Sequence, residues 1–351
     1  MAEKDFQTTY DQPEAGRRGA LWAAVGVGAL LVANAIYKEM TKYRLQGKVV
    51  LITGGSRGLG LVLARQLARK GARLAICART EDQLERARQE LESMGAQVLA
   101  FPCDVTDRNQ VQWMIAEVRA QFGQIDVLIN NAGVIQVGPV ETMNLSEYEE
   151  AMNTHFWAPL YSMLATIPHM KRRGGGRIVN VSSVGGKIAL PHMIPYSASK
   201  FALVGLSEGM RAELKKDNIL VTTIVPNLTR TGSPRNVVVK GDHQAEYAWF
   251  KIADSLPLLT QSAEAAASRI IQAIEQGEAE VVLTFSGKLV EIIHGVAPGL
   301  VADVLGFIND MLPEADLHGT ERRRGAESES SRSRNVFTTL TDRAASKNNE
   351  G

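Results

Sequence analysis

An α/β fold, a doubly wound parallel sheet of about seven strands covered by helices on both faces, is what the sequence predicts for residues 47–288. Three observations predict it. From Gly47 onward short apolar runs alternate with amphipathic stretches, the pattern of a parallel sheet joined by helical crossovers. The first run leads directly into a glycine cluster, Gly54, Gly58 and Gly60, placed between a strand and a helix. No internal repeat at solenoid spacing offers a different architecture.

The elements follow in order. Lys48–Thr53 reads as the first strand and Gly58–Lys70 as the first helix. Arg73–Ala78 is the second strand, Glu81–Met94 a helix, and Gln97–Pro102 the third strand. Arg108–Phe122 has helical periodicity and Ile125–Asn130 is the fourth strand. Ser146 with Glu149 forms a capping-box pattern that opens a long helix towards Met170, bent at Pro159. Arg177–Ser182 is the fifth strand, Tyr196–Lys216 a helix, and Leu220–Val225 the sixth strand. Glu264–Gln276 is helical, and Glu280–Phe285 closes the series as a seventh strand.

The flanks differ in kind. Residues 1–18 are polar without an apolar period and are expected to be disordered. Gly19–Tyr37 is a charge-free run of nineteen residues, the length of a transmembrane helix, with Trp22 and Tyr37 near its ends as interface anchors. Lys4, Arg17 and Arg18 precede it, whereas Lys38, Lys42, Arg44 and Lys48 follow, which favours a cytoplasmic folded domain. Two other readings of the run stay open: a signal peptide cut after Ala33-Asn34-Ala35, and a helix lying in the membrane interface. Residues 38–46 form a linker. At the other end, 289–316 is an apolar helical extension broken by Pro298-Gly299. It reads as a cap on the domain or as a surface that meets membrane or covers the substrate entrance. Residues 317–351 turn polar and are expected to be a disordered tail.

Chemistry concentrates in Val181–Lys200. Tyr196 and Lys200 are four residues apart at the opening of a helix, so phenol and ammonium share one face. A cation at about 4 Å, with an effective dielectric of ~20, favours phenolate by roughly 4 kcal/mol. That is on the order of three pKa units from the usual value near ~10, enough for proton transfer near neutrality. Ser183, at the end of the fifth strand, places a hydroxyl for a substrate carbonyl. Gly54, Gly58 and Gly60 permit a tight turn, close approach of backbone N–H groups to a pyrophosphate, and close helix–strand packing. At the end of the second strand, where an acidic residue would read a ribose 2′-OH, Ala78 is followed by Arg79. Together with Arg57 this suits a dianionic 2′-phosphate, hence NADP(H). His155 and His192 read as packing or surface residues. Cys77 and Cys103 read as reduced, buried side chains with neither disulfide nor zinc spacing. A net charge of +1 without a basic, aromatic-interleaved stripe excludes a nucleic-acid footprint.

These residues, Thr53-Gly54-Gly55-Ser56-Arg57-Gly58-Leu59-Gly60, Asn130-Asn131-Ala132-Gly133, Asn153, Ser183, Tyr196 and Lys200, resemble the short-chain dehydrogenase/reductase family over about Gly47–Phe285. The resemblance implies a Rossmann-type domain whose cofactor contacts include Gly54, Ser56, Arg57, Gly58, Leu59, Gly60, Arg79, Asn131, Ala132 and Gly133. It also implies an adenine contact at Asp104 and a nicotinamide contact at Thr231. Tyr196 would be the general acid/base, Lys200 its activator and a ribose ligand, Ser183 the carbonyl donor, and Asn153 a proton relay through water. Asn227 departs from the pattern, standing where the family usually has Gly; asparagine tolerates the left-handed backbone such a turn would need. The implied activity is an NADP(H)-dependent oxidoreduction of a carbonyl or alcohol, with reduction favoured. Oxidation of a hydrophobic alcohol, steroid- or retinoid-like, and a non-catalytic membrane-tethered NADPH-binding module are the alternatives. Residues 227–259 are expected to form a lid in which Tyr247, Trp249 and Phe250 stand beside Arg230, Arg235, Lys240 and Lys251. That mixture suits an apolar substrate with an anionic end. A homodimer is an assembly open to such a chain.

Overall fold

Strand β1 (Val49–Thr53) is buried at all five positions, the condition of a central parallel strand covered on both faces. The computed structural model describes residues 42–255, 260–316, 319–331, 333 and 338–350. The expected N-terminal segment and transmembrane helix, 1–37, lie outside the described residues, and among those described no helix is long and apolar enough to cross a membrane.

After β1 come α1 (Gly58–Arg69), β2 (Arg73–Ala78), α2 (Glu81–Ser93), β3 (Val98–Pro102), α3 (Arg108–Phe122) and β4 (Val127–Asn130). A short β5 (Gln136–Val137) precedes α4 (Leu145–Met152), a π turn (Asn153–Trp157) and α5 (Ala158–Arg172). Then follow β6 (Gly176–Val181), α6 (Ile194–Leu214), β7 (Ile219–Val225), β8 (Thr229–Arg230) and β9 (Val238–Val239). The remainder is α7 (His243–Ala253), β10 (Gln261–Ser262), α8 (Ala263–Gln276), β11 (Glu280–Val282), α9 (Phe285–Val296), α10 (Pro298–Asn309), β12 (Arg323–Arg324) and α11 (Thr339–Lys347).

Seven strands form one parallel sheet in the order β3-β2-β1-β4-β6-β7-β11. The order reverses between β1 and β4, so their carboxyl ends, Thr53 and Asn130, which are in register, flank the crevice where such sheets bind ligands. One core lies between the sheet and α3 and α5, where Leu51, Leu128 and Ile178 meet Met114, Val118 and Met163. On the opposite face α1 packs against α8. Two small sheets, β8 with β10 and β5-β9-β12, stand apart from the main sheet.

Several expected elements change in detail. The capping box opens two residues early: Asn144 is the N-cap and its N–H donates to the Glu147 carboxylate at 2.8 Å. Where a bend at Pro159 is expected, a π turn interrupts the helix just before it, and in that turn the Ala158 N–H reaches the Asn153 carbonyl. The seventh strand stops at Val282, because Thr284 caps α9, its hydroxyl accepting from the Gly287 N–H at 3.1 Å. The apolar extension forms α9 and α10, separated at Pro298 as expected. Val301 seats α10 on Val184, Ile188 and Val225, while Phe285, Val296 and Phe307 stay 85%, 83% and 68% exposed. The tail differs most from expectation. Where disorder is expected, β12 pairs antiparallel with β9, and α11 buries Thr341 and Ala345. Residues 44–351 form one unit, so extension and tail belong with the sheet domain.

Candidate active site

A cavity of about 1240 Å³ opens at the carboxyl ends of β1, β2, β4 and β6. It exceeds the ~300–1,000 Å³ of a single drug-sized site. Its floor is the turn from β1 into α1. Gly54 (φ +66°) runs against the Ala132 backbone, where a Cβ would come within 2.9 Å of Cα. A Cβ on Gly60 would collide with the Gly54 carbonyl. The Asn131 amide locks the two loops together by donating to the Thr53 and Gly54 carbonyls, each at 3.1 Å. Arg57, Gly58 and Leu59 line the cavity, as do Arg79, Asp104, Ala132 and Gly133. The Asp104 carboxylate accepts from the Thr106 N–H and hydroxyl at 3.0 and 2.8 Å, which fixes it at the rim.

The other end of the cavity holds Ser183, Tyr196 and Lys200. Ser183 follows β6 and caps a 3-10 turn, its Oγ accepting from the Gly185 N–H at 3.0 Å. A Cβ on Gly185 would sit 3.0 Å from the Tyr196 ring, so a small residue there lets the phenol lie beside the serine. Burial pushes the Tyr196 phenol up to about 12, against the pull of its hydrogen bond with Ser183. Burial also brings Lys200 down to about 7. The helical spacing predicts the opposite sign for Tyr196, and the reason it fails is visible. The Lys200 ammonium lies 5.7 Å from the ring centroid and donates to the Val181 carbonyl at 2.8 Å, so desolvation outweighs attraction.

His155, expected only to pack or to face solvent, supports this end of the cavity. Its ring meets Tyr196 edge-on at 5.4 Å. Nε2 accepts from the Val134 N–H at 3.1 Å, leaving Nδ1 to donate to Ser199 Oγ at 2.7 Å. Burial, aided by Lys200, holds it well below the usual histidine range, so it is a neutral strut between the Asn131–Gly133 loop and α6. The one sequence signal for it is its position two residues after Asn153.

Ser183, Tyr196, Lys200, the glycine-rich turn, Arg57, Arg79, Asp104 and Thr231 all meet at one cavity. Asn153 does not join them. The π turn directs Thr154 and His155 inward and leaves Asn153 exposed, away from the cavity wall. Asn227 also departs from expectation. It does not have a positive φ; its side chain instead closes locally on the Leu228 N–H at 2.9 Å. The expected lid is built from β8, β9 and α7, and Trp249, Phe250 and Arg235 face the cavity. Lys240 and Lys251 are fully buried in ion pairs, with Glu147 at 3.3 Å and with Asp342 at 2.8 Å, so neither is available to a substrate anion. Arg230 donates to Thr260. Cys77 and Cys103 are free and buried, and hydrogen-bonded to one another.

One further segment reaches the cavity. Residues 348–350, beyond α11, run along the glycine-rich turn, and Glu350 lies against Gly58 and Arg57.

Residues 48–240 match the family described as short chain dehydrogenase. A fatty acyl-CoA reductase of Acinetobacter baylyi is 34% identical over 269 residues, 76% of this chain and 84% of that protein. Among solved structures, L-sorbose reductase from Gluconobacter frateurii, complexed with NADPH and L-sorbose, is similar at TM-score 0.61 and 26% identity, covering 68% of this chain and 95% of that one. A short chain dehydrogenase/reductase from Burkholderia phymatum in complex with NAD has TM-score 0.68 at 23% identity, covering 74% and 96%, a likeness of fold.

Proposed function

Because the chain belongs to the short-chain dehydrogenase family, whose members are nicotinamide-dependent oxidoreductases, we propose that it is an NADP(H)-dependent reductase of an apolar carbonyl compound. The observation that carries this reading is one cavity with two differentiated ends. At one end stand the glycine-rich turn, Arg57 and Arg79; at the other the hydrogen-bonded hydroxyls of Ser183 and Tyr196, with Lys200 one helical turn away. The residues fit a dinucleotide: Gly54 and Gly60 let the turn close against the Ala132 backbone and the Gly54 carbonyl, Gly58 leaves backbone where a Cβ would enter the cradle, and the residue directly after β2 is Arg79 rather than a carboxylate that would repel a 2′-phosphate.

When bound, the nicotinamide supplies or takes the hydride. The protein's part is then polar and local. Ser183 Oγ holds the substrate oxygen, and Tyr196 Oη delivers a proton to it, or removes one in the reverse direction. Lys200 bonds the ribose and, once a substrate or cofactor brings in polar groups, lowers the cost of charge on the phenol. His155 is a positioning residue that fixes the ring of Tyr196. Arg57 and Arg79 read the 2′-phosphate.

The substrate end supports an apolar partner. Leu190, Trp249, Phe250, Leu305 and Ile308 face the cavity, two of them from the exposed apolar helix α10. The name of the fatty acyl-CoA reductase relative supports the same class. The charge-free run at 19–37 and its basic flank support a single-span anchor with this domain on the cytoplasmic side, where such a substrate partitions.

The test is turnover of long-chain aldehydes, ketones and alcohols by the full chain, with NADPH, NADP, NADH and NAD measured in parallel. Carbonyl reduction with NADPH faster than with NADH is the expected result. Faster alcohol oxidation would reverse the direction. NADPH binding without turnover of any carbonyl or alcohol would make this a binding module.

A further inference from the structure

The last described residues of the chain use the groups that the preceding reading assigns to the cofactor. The Gly58 N–H, at the start of α1, donates to the Asn348 carbonyl at 2.9 Å. Arg57 lies 3.6 Å from the Glu350 carboxylate. A Cβ on Gly58, placed in the cradle meant for a pyrophosphate, would sit 2.5 Å from the Glu350 carboxylate oxygen. A backbone carbonyl and a carboxylate therefore stand where phosphate oxygens would be held.

The placement is built rather than incidental. Asn349 adopts a left-handed φ of 58°, a conformation asparagine tolerates, and its amide donates to the Ser56 and Gln83 carbonyls at 2.9 and 3.0 Å. Arg86 donates to its oxygen at 3.0 Å. Arg65 donates to the Lys347 carbonyl and the Asn348 side chain at 2.9 and 3.1 Å. The Asn236 amide holds the Glu350 carboxylate at 2.6 Å. Upstream, α11 lies on Gly232, whose missing Cβ leaves room for Ala345. Lys251 pairs with Asp342 at 2.8 Å and Ser255 bonds Thr341 at 3.0 Å. Asn348 and Glu350 are buried, polar and partnered, which is unlike a solvated chain end.

We infer that residues 338–350 form an autoinhibitory strap, a tethered competitor that must leave the glycine-rich turn before a phosphorylated dinucleotide can bind. The inference rests on the dinucleotide reading of that turn. A tethered segment needs little intrinsic affinity, because its effective concentration is on the order of millimolar. If about nine-tenths of molecules are strapped, the apparent Kd of the cofactor is raised about tenfold. The strap acts on binding and leaves Ser183, Tyr196 and Lys200 untouched, so it raises KM for the cofactor without lowering kcat.

The test compares NADPH affinity, by direct titration, in the full chain, in a chain ending at residue 337, and in the full-length double variant Asn348→Ala, Glu350→Ala. Both variants should bind NADPH about tenfold more tightly, with kcat at saturating NADPH unchanged. Added in trans, a peptide of residues 338–350 should weaken NADPH binding to the shortened chain. Equal affinity in all three proteins, or weaker binding in both variants, would overturn the strap while leaving the oxidoreductase reading intact. No NADPH binding by any of the three would instead remove the dinucleotide reading, and the strap with it. Should the shortened chain not fold, the double variant decides alone.

Discussion

The glycine-rich turn and the strap that meets it could hardly differ more in how they are encoded. The β1–α1 turn is written in local residues: a buried five-residue strand, four glycines within seven residues, and a helix whose N-terminus faces the cavity. The strap has no apolar period and reads as polar tail, yet it buries Thr341, Asn348 and Glu350. The first is held by backbone geometry that only certain residues allow. The second is held by hydrogen bonds and ion pairs to Arg57, Arg65, Arg86, Asn236 and Lys251, five residues scattered over nearly two hundred positions of sequence. Periodicity reports the first kind of order and is silent on the second.

The largest expected effect lies away from the strap, at Tyr196. Tyr196→Phe removes the proton donor and no cofactor contact, so kcat should fall well beyond tenfold, more than ~1.4 kcal/mol in the barrier, while NADPH affinity is retained. Retention of more than about a tenth of the rate would assign the proton to another group.

Next comes the charge pair. In the chain ending at 337, where Arg57 no longer has Glu350 as a partner, Arg57→Ala with Arg79→Ala should weaken NADPH more than tenfold relative to NADH. Charge-assisted hydrogen bonds contribute about 1.5–3 kcal/mol each. Titration of both cofactors checks this, and equal weakening would show that the arginines do not read the 2′-phosphate.

A smaller effect follows from pH. Burial pushes the docked Glu350 carboxyl up to about 7, against the pull of Arg57 and Asn236. The other cations nearby are engaged elsewhere: Arg235 faces Glu329 at 3.9 Å, Arg65 holds Asn348, and Arg86 holds Asn349. A raised carboxyl favours the docked state when protonated, so docking is strongest below the ordinary carboxylate range and weakens as pH rises through about 7. The ratio of NADPH affinities, shortened chain over full chain, should therefore fall several-fold, by roughly 3–10, between pH 6 and 8. A ratio flat across that range would mean Glu350 does not govern the strap.

The smallest concerns Gly232→Ala. Its φ of +96° and the contact with Ala345 mean that alanine must displace α11. NADPH affinity should rise about two- to fivefold, and the melting temperature should drop by a few degrees, on the order of 1 kcal/mol. An unchanged affinity would show that α11 does not hold the strap in place.

What was legible in the sequence follows the same division. All seven sheet strands and the residues at their carboxyl ends were readable, because parallel strands buried on both faces are continuous apolar runs and the turn after β1 demands glycine. The π turn was not, since no local pattern marks a single i→i+5 step, and it is this turn that puts His155 in the cavity and Asn153 outside. The direction in which Tyr196 is shifted was not legible, because helical spacing gives proximity to Lys200 but not the burial that dominates both groups. Lys240 and Lys251, expected among the lid cations that suit an anionic substrate end, are instead buried in ion pairs with Glu147 and Asp342, partners 93 and 91 residues away that no local pattern announces.

Amide hydrogen exchange on the full chain, with and without saturating NADPH, tests most directly whether the strap and the cofactor share one site. The account predicts that NADPH raises exchange across residues 338–350 while protecting the turn from Gly54 to Gly60. Strap amides that keep their protection at saturating NADPH would contradict it, because cofactor and tail would then occupy different places.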